Sequence, residues 1–292
     1  MTEKATLPRE TRPGAVGQSH AGRFWGLLVL CLLGSAMVLP LIYVVCNAFK
    51  PLDELYVFPP RFFVRNPTVG NFRALANLLG ESQVPMIRYI FNTIFVTAVA
   101  TGLHLLIASL AAFTLEKRKF PGRQLLFRMV VLALMFSTAI TSIPNYIIME
   151  RLGWIDTYWS LIVPAIASPI GLFLMKQFMS TVPDSLLEAA RIDGASEWQS
   201  FLRIAMPCVK PAWLTLIIFS FQNLWPITGG TYIFSEELKP LNYALNQILS
   251  GGIVRAGAGA AGTLFMVIPP VVVFIVSQKN ILYTMASSGI KE

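Results

Sequence analysis

Long apolar runs separated by short polar segments dominate this chain. A helix needs about twenty apolar residues to cross the hydrocarbon core of a bilayer. Six runs meet that length, at 25–48, 89–115, 126–149, 158–178, 211–234 and 262–282. Hydrocarbon offers no partner for unpaired backbone groups, so each run is expected to be helical. A membrane barrel would require short alternating strands, and the pattern has none. The first run is too long for the apolar region of a cleavable signal and no clear small-residue cleavage site follows it, so it reads as a retained span. The pattern predicts an all-α polytopic membrane protein with six transmembrane helices.

The polar segments orient the spans. Between the second and third, and just inside the start of the third, lie Lys117, Arg118, Lys119, Arg123 and Arg128, whereas Arg151 stands alone between the third and fourth. Short loops rich in Lys and Arg stay in the cytoplasm. The N- and C-termini are therefore expected to be cytoplasmic, with Lys4, Arg9, Arg12 and Arg23 in the tail 1–24 and Lys279 and Lys291 near the other end. Residues 25–292 form the membrane domain. Its extracellular loops are 49–88, 150–157 and 235–261, and its main cytoplasmic loop is 181–210. The glycines from Gly251 to Gly262 permit close backbone approach or flexibility. No internal repeat is evident.

Composition agrees. Of 292 residues, 55% are hydrophobic and 13% charged, about half the charge of a soluble domain, and mean hydropathy is +0.62. The net charge of +8 comes from bases beside the apolar runs, which is a topological signature and not one of nucleic-acid binding. The run Lys117-Arg118-Lys119 is read the same way. Cys31, Cys46 and Cys208 form no CxxC pair, and no Cys–His cluster has metal-ligand spacing. They read as buried free thiols. No catalytic residues, metal site or cofactor is expected in this chain.

The loop 181–210 carries the most specific local signals. Pro183 suits a helix start, and Asp184 and Glu188 favour the positive end of a helix dipole. Leu186, Leu187 and Ala190 share a face, and Gly194 is placed to stop the helix in a left-handed conformation. Ser196-Glu197-Trp198-Gln199 reads as a capping box opening a second helix. There Trp198, Phe201, Leu202 and Ala205 form one apolar stripe, ended by Pro207. The prediction is a helix-turn-helix with an apolar face and balanced charges: Asp184, Glu188, Asp193 and Glu197 against Lys176, Arg191, Arg203 and Lys210. Interfacial helices that lie in lipid usually carry basic polar faces, so the balance favours docking onto a soluble protein.

The sequence PDSLLEAARIDGASEWQSFLRIAMPCVKP at 183–211 resembles the coupling loop of permease subunits of bacterial binding-protein-dependent ABC importers. The match includes Glu188, Ala189, Ala190, Asp193, Gly194, Ala195, Phe201, Ile204, Pro207 and Pro211. Asp193-Gly194-Ala195 is similar to the carbohydrate-uptake branch, and so is Asn223-Leu224-Trp225-Pro226 in the fifth span. The ending Gly289-Ile290-Lys291-Glu292 is similar too, with departures at Ile290 and Glu292. The resemblance is to permeases of the maltose-transporter kind. It implies a multi-pass protein of the bacterial cytoplasmic membrane that moves a sugar or oligosaccharide inward. It also implies a second, different permease subunit, an ATPase dimer that binds ATP and Mg, and an extracellular sugar-binding protein. By resemblance the coupling residues are Glu188, Ala189, Ala190, Arg191, Asp193, Gly194, Ala195, Trp198, Phe201 and Pro207, with Glu188 pairing with an ATPase arginine. The loop 235–261 is the segment that would reach the binding protein, and 287–292 would make a second ATPase contact. The chain contains no GxxxxGK[ST] phosphate loop, so the ATP would be handled by another polypeptide.

Sugars are bound by hydrogen bonds and aromatic stacking, which nominates Asn223, Trp225, Gln222 and Asn145 as substrate-pathway residues, with helix–helix hydrogen bonding the competing role. His104 lies mid-span without a buried acid, so a hydrogen bond to a neighbouring helix is expected in place of a proton relay. Pro164, Pro169, Pro269 and Pro270 are placed to kink their helices. An ion-coupled secondary transporter would carry midplane acids and usually an inverted repeat, and neither is evident in the sequence. A membrane scaffold that transports nothing would share the docking loop and is separated only by the resemblance.

Overall fold

The computed structural model of the chain describes residues 20–80 and 84–288. Most of the N-terminal tail and the final residues 289–292, with their proposed ATPase contact, lie outside the described residues. Among the described residues every regular element is helical. Four helical stretches are long and apolar enough to cross a membrane, or five if one bent pair counts as a span.

Helix α1 (His20–Phe49) is apolar around its whole circumference and exposed along nearly all of its length. Only its last turns pack, near α3 (Gly70–Gly80) and the final helix. Its end is tied by buried polar groups. Lys50 donates to Asn47 Oδ1 at 2.9 Å and to the Arg61 carbonyl at 2.5 Å. Glu54, on the short α2 (Leu52–Leu55), accepts the amide of Arg65 at 2.8 Å. Asn71 donates to the carbonyls of Ala48 and Lys50.

Helix α4 (Met86–Lys117) is the centre of the bundle. It packs against α7 (Trp159–Ile166), α8 (Pro169–Met179) and α12 (Lys210–Leu224). Its face bearing Val96, Ala100, His104, Ala108 and Ala112 is buried, and these are largely small residues that let backbones approach. His104 Nδ1 meets Ser220 Oγ at 2.8 Å, the interhelical hydrogen bond expected of it. Gly171 on α8 makes room for the ring: a Cβ there would lie 2.2 Å from His104 Nε2.

The structure revises several span boundaries. The expected third span is broken into α5 (Arg123–Ala133) and α6 (Thr138–Arg151), of 11 and 14 residues. Tight i→i+3 bonds, such as Phe136 N–H to the Ala133 carbonyl, close the turn between them. At 1.5 Å per residue neither piece alone crosses about 30 Å. The fourth span is interrupted at Ser168, which is extended because it precedes Pro169. The fifth stops at Leu224, ten residues short of the expected end, where Pro226 and a left-handed Gly229 turn the chain. The sixth starts earlier: α14 (Ala256–Ser288) takes in most of the glycine-rich stretch assigned to a loop. Those glycines serve close approach, since a Cβ at Gly257 would lie 2.2 Å from Asn71 Oδ1 and one at Gly262 2.9 Å from Leu245. Helix α13 (Leu241–Leu249) packs on α14 through Leu245 and its neighbours.

Candidate functional site

The loop 181–210 is the site the local sequence rules describe best, and most of its elements form as those rules dictate. Helix α9 (Asp184–Ile192) begins after Pro183, which stands one position outside the first turn, at the N-cap. It ends in a Schellman motif. Gly194 has φ of +82°, its N–H donates to the Arg191 carbonyl at 3.0 Å, and the Ala195 N–H donates to the Ala190 carbonyl at 2.9 Å. A Cβ at Gly194 would meet open space, so it is the backbone conformation that calls for glycine there. Next, α10 (Glu197–Ser200) opens with the capping box. The Gln199 N–H donates to Ser196 Oγ at 3.2 Å, and the Ser196 N–H donates to Gln199 Oε1 at 2.8 Å.

The second helix departs from expectation. Residues Phe201–Ala205 form a π-turn, and the chain continues through α11 (Met206–Cys208), with Pro207 near its start, before bending 81° into α12. A π-turn holds more residues per turn than an α-helix. The expected stripe is therefore split: Phe201 and Ala205 are buried, while Trp198 and Leu202 are exposed. On α9, Leu187 and Ala190 face inward and Leu186 faces out.

The buried half of the loop is continuous with the core. Leu187, Phe201, Ala205 and Val209 pack with Ala108, Ala112 and Phe113 of α4, Met175 and Met179 of α8, and Leu216 of α12. Phe113 and Phe201 have ring centroids 5.4 Å apart. Burying a residue such as Phe201 contributes about 1.5–3 kcal/mol, so the loop is a rigid extension of the helices that enter it.

Charges add a second attachment. Lys117 Nζ bonds the Val182 carbonyl at 2.5 Å and Asp184 Oδ1 at 2.8 Å. Arg118 pairs with Glu197, and Lys176 pairs with Glu116 at 2.7 Å. The hydrogen bond from Lys117, with its charge, holds the Asp184 carboxyl below the usual carboxylate range. Lys117 and Arg118 thus brace the loop, which their reading as purely topological residues missed. The pairing spans 67 positions for Lys117 and Asp184, and nothing in local sequence signals it.

The sequence-predicted coupling residues therefore divide. Ala190 and Phe201 face the core, and Ala195 is half-buried. Glu188, Ala189, Arg191, Asp193, Gly194, Trp198 and Pro207 are exposed. Arg191 lies 3.6 Å from Glu197, an exposed pair contributing little. Glu188 has no hydrogen bond or ion pair among the described residues. One turn on along α9, Ile192 is 87% exposed. A rigid, braced surface presenting a free carboxylate near an apolar side chain is suited to a protein partner.

Of the pathway candidates, Gln222 and Asn223 are exposed near the end of α12 and Asn145 is half-buried on α6. Gln222 and Asn223 share the end of α12 with Trp225, whereas Asn145 is on a different helix. Trp225 is buried, and its indole N–H donates to the Met266 carbonyl at 3.0 Å, so it ties α12 to α14 while its ring stacks on Phe221.

At the opposite end of the bundle, sequence reasoning missed the network that fixes the start of the 235–261 segment. Asn92 is fully buried, donates to the carbonyls of Glu237 and Lys239, and accepts from Tyr158. Asp156 accepts the amides of Phe234 and Ser235, at 2.9 and 2.8 Å, and the Ser235 hydroxyl.

Comparison with known proteins places these features in context. Residues 104–287 match the family model described as binding-protein-dependent transport system inner membrane component. The chain is 32% identical over 240 residues to protein LplC of Bacillus subtilis (strain 168), covering 79% of this chain and 77% of that protein. It is 26% identical over 269 residues to the arabinooligosaccharides transport system permease protein AraQ of the same organism, covering 90% and 94%. Among solved structures, a bacterial ABC transporter involved in the import of the acidic polysaccharide alginate superposes with a TM-score of 0.76 at 20% identity, over 89% of this chain and 98% of the matched chain. At that identity the likeness is one of fold.

Proposed function

The chain belongs to the family of binding-protein-dependent transport system inner membrane components, and from that premise we propose that it is the permease subunit of an ATP-driven importer that takes a sugar or oligosaccharide from an extracellular binding protein into the cytoplasm. It is an integral membrane protein of six spans with both termini cytoplasmic, the pair α5 and α6 together serving as the third crossing. The likeness to the arabinooligosaccharide permease supports a carbohydrate substrate. A second permease subunit completes the pathway, and an ATPase dimer supplies the work. ATP and Mg bind to the ATPase; this chain contributes no catalytic group.

The observation that carries the coupling role is the braced helix-turn-helix with Glu188 exposed and unpaired. The ATPase grips α9 and α10 through Glu188, Asp193, Ile192 and Trp198. Because Phe201 and Leu187 pack the loop against α4, α8 and α12, movement of the loop moves those helices as a body. That is rigid-body coupling between two sites, in which ATPase closure and permease opening bias the same two-state element.

Glu188→Lys tests this. The variant is expected to insert and accumulate normally, because the side chain is exposed and has no partner in the chain. Substrate-stimulated ATP hydrolysis and uptake in the reconstituted complex are expected to fall about tenfold or more, the scale of losing a charged interface contact. Undiminished uptake would remove Glu188 from the interface.

A further inference from the structure

We propose that the turn between α4 and α5 is a binding site for the headgroup of an anionic phospholipid. Two adjoining cavities of about 700 and 360 Å3 share Arg123, Gln124 and Arg128 in their walls. Lys119 lines the first and Lys176 the second. No acidic side chain lines either. The Arg123 guanidinium makes long bonds, at 3.3 and 3.4 Å, to the carbonyls of Arg118 and Glu116. Lys176 is shared with Glu116 and lies 4.2 Å over the Phe127 ring. Lys119 and Arg128 are exposed and have no hydrogen bond or ion pair among the described residues. Gly122, at φ of +85°, turns the chain into α5 without a side-chain cap. The first amides of α5 therefore add the positive end of a helix to the cluster.

The second observation distinguishes a lipid from a soluble anion. Helix α5 has no buried residue. From the cavity wall at Leu125, an apolar stripe runs down it through Met129 and Leu132 to Phe136 just past its end, at helical spacing of four, three and four, with exposures of 63, 58, 56 and 61%. A phosphate held by Arg123, Arg128 and Lys119 would leave its acyl chains lying along that stripe. Basic pockets between membrane helices on the cytoplasmic side are suited to acidic lipid headgroups. The inference rests on the proposed orientation, which puts this turn at the inner leaflet.

Native mass spectrometry of the full chain, purified with its partners in mild detergent, gives the test. Phosphatidylglycerol is titrated in, against phosphatidylcholine of the same acyl chains. Retained phosphatidylglycerol is expected in clear excess over phosphatidylcholine. Arg123→Gln/Arg128→Gln should lower its retention about tenfold or more, each cation near a lipid surface contributing roughly a fivefold factor. Arg128→Gln alone, at an exposed unpaired side chain, should lower it about fivefold, and Arg123→Lys/Arg128→Lys should restore most of it. Equal retention by wild type and double variant would overturn the proposal. So would displacement of the lipid by millimolar inorganic phosphate, which would make the cavity a soluble-anion site. Glu188→Lys should retain lipid like wild type, so loss of the importer reading and loss of the lipid site register in different assays.

Discussion

Asp156 illustrates how one side chain can fix a segment that composition leaves unassigned. It holds φ of 59°, a left-handed conformation that Asp tolerates better than most residues. Its own N–H donates to the Tyr232 carbonyl at 2.8 Å, and its carboxylate gathers three donors from Phe234 and Ser235. The Ser235 hydroxyl, followed by the two amides and the charge of Lys239, outweighs desolvation and holds the carboxyl below its usual range. A depressed folded value means that the tether's contribution is complete above the ordinary carboxylate value of about 3.9 and fades as pH falls through the lower folded value. At neutral pH the tether is fully formed. Asp156→Asn keeps the shape and removes the charge. Charge-assisted bonds are roughly twice as strong as neutral ones. The variant is expected to raise amide exchange of Phe234 and Ser235 at pH 7 about fivefold. Corrected for intrinsic rates, wild-type protection should hold from pH 7 down to about pH 4 and decline below it, and the variant's should not decline. Identical protection in the two proteins would mean that Asn92 and its carbonyl bonds fix the segment alone.

At the scale of elements, the contact between α4, α8 and α12 turns on a single missing methyl group. A Cβ at Gly171 would sit 2.2 Å from His104 Nε2 and 3.0 Å from Leu216 Cδ1. His104 is itself held by Ser220, so it has little freedom to withdraw. Gly171→Ala is expected to cost about 1–3 kcal/mol by overpacking, read as a lower midpoint of thermal unfolding in detergent. Adding His104→Ala should recover most of that loss, a coupling of about 1 kcal/mol or more between neighbours. Strict additivity would show that the clash is relieved by moving a helix. These helices also mark what could be read from sequence. The Schellman turn at Gly194 and the capping box at Ser196 obey rules confined to a few neighbouring residues, and both were legible. The hydrogen bond of His104 to another helix was legible as a need, since a buried imidazole demands a partner, but Ser220 was not. The π-turn at Phe201 depends on how α10 meets α4, and the Lys117–Asp184 and Arg118–Glu197 pairs exist only through the fold. Gly257, Gly259 and Gly262 carry the same composition whether they loosen a loop or seat a helix. Only the positions of Asn71, Leu249 and Leu245 show that they seat α14.

At the scale of the whole molecule, everything proposed for the loop and for the basic cavity depends on which side of the membrane they occupy, and the chain carries its own reporters. Its three cysteines are free. Two of them are exposed in the structure, contrary to the expectation of buried thiols. Cys208 lies on α11, inside the loop 181–210, and Cys31 lies mid-way along α1. An exposed side chain in the middle of an apolar helix faces lipid when that helix is a span, and a charged maleimide cannot reach it there. A membrane-impermeant maleimide is therefore expected to label Cys208 in inverted vesicles stripped of peripheral proteins, and to leave it unlabelled in intact right-side-out cells. Cys31 should stay unlabelled in both until detergent is added. Stripping matters because an ATPase seated on α9 and α10 would itself cover Cys208. Protection of Cys208 that disappears on stripping would be independent support for docking at this surface. Labelling of Cys208 from outside intact cells would reverse the orientation. It would put Lys119, Arg123 and Arg128 at the outer leaflet against the positive-inside rule, and place Glu188 where no ATPase can reach it. Such a result would undo the coupling reading and the inner-leaflet lipid site together. Labelling of Cys31 from either side would remove α1 as a span, and the parity of crossings would then set the N-terminus and α9 on opposite faces.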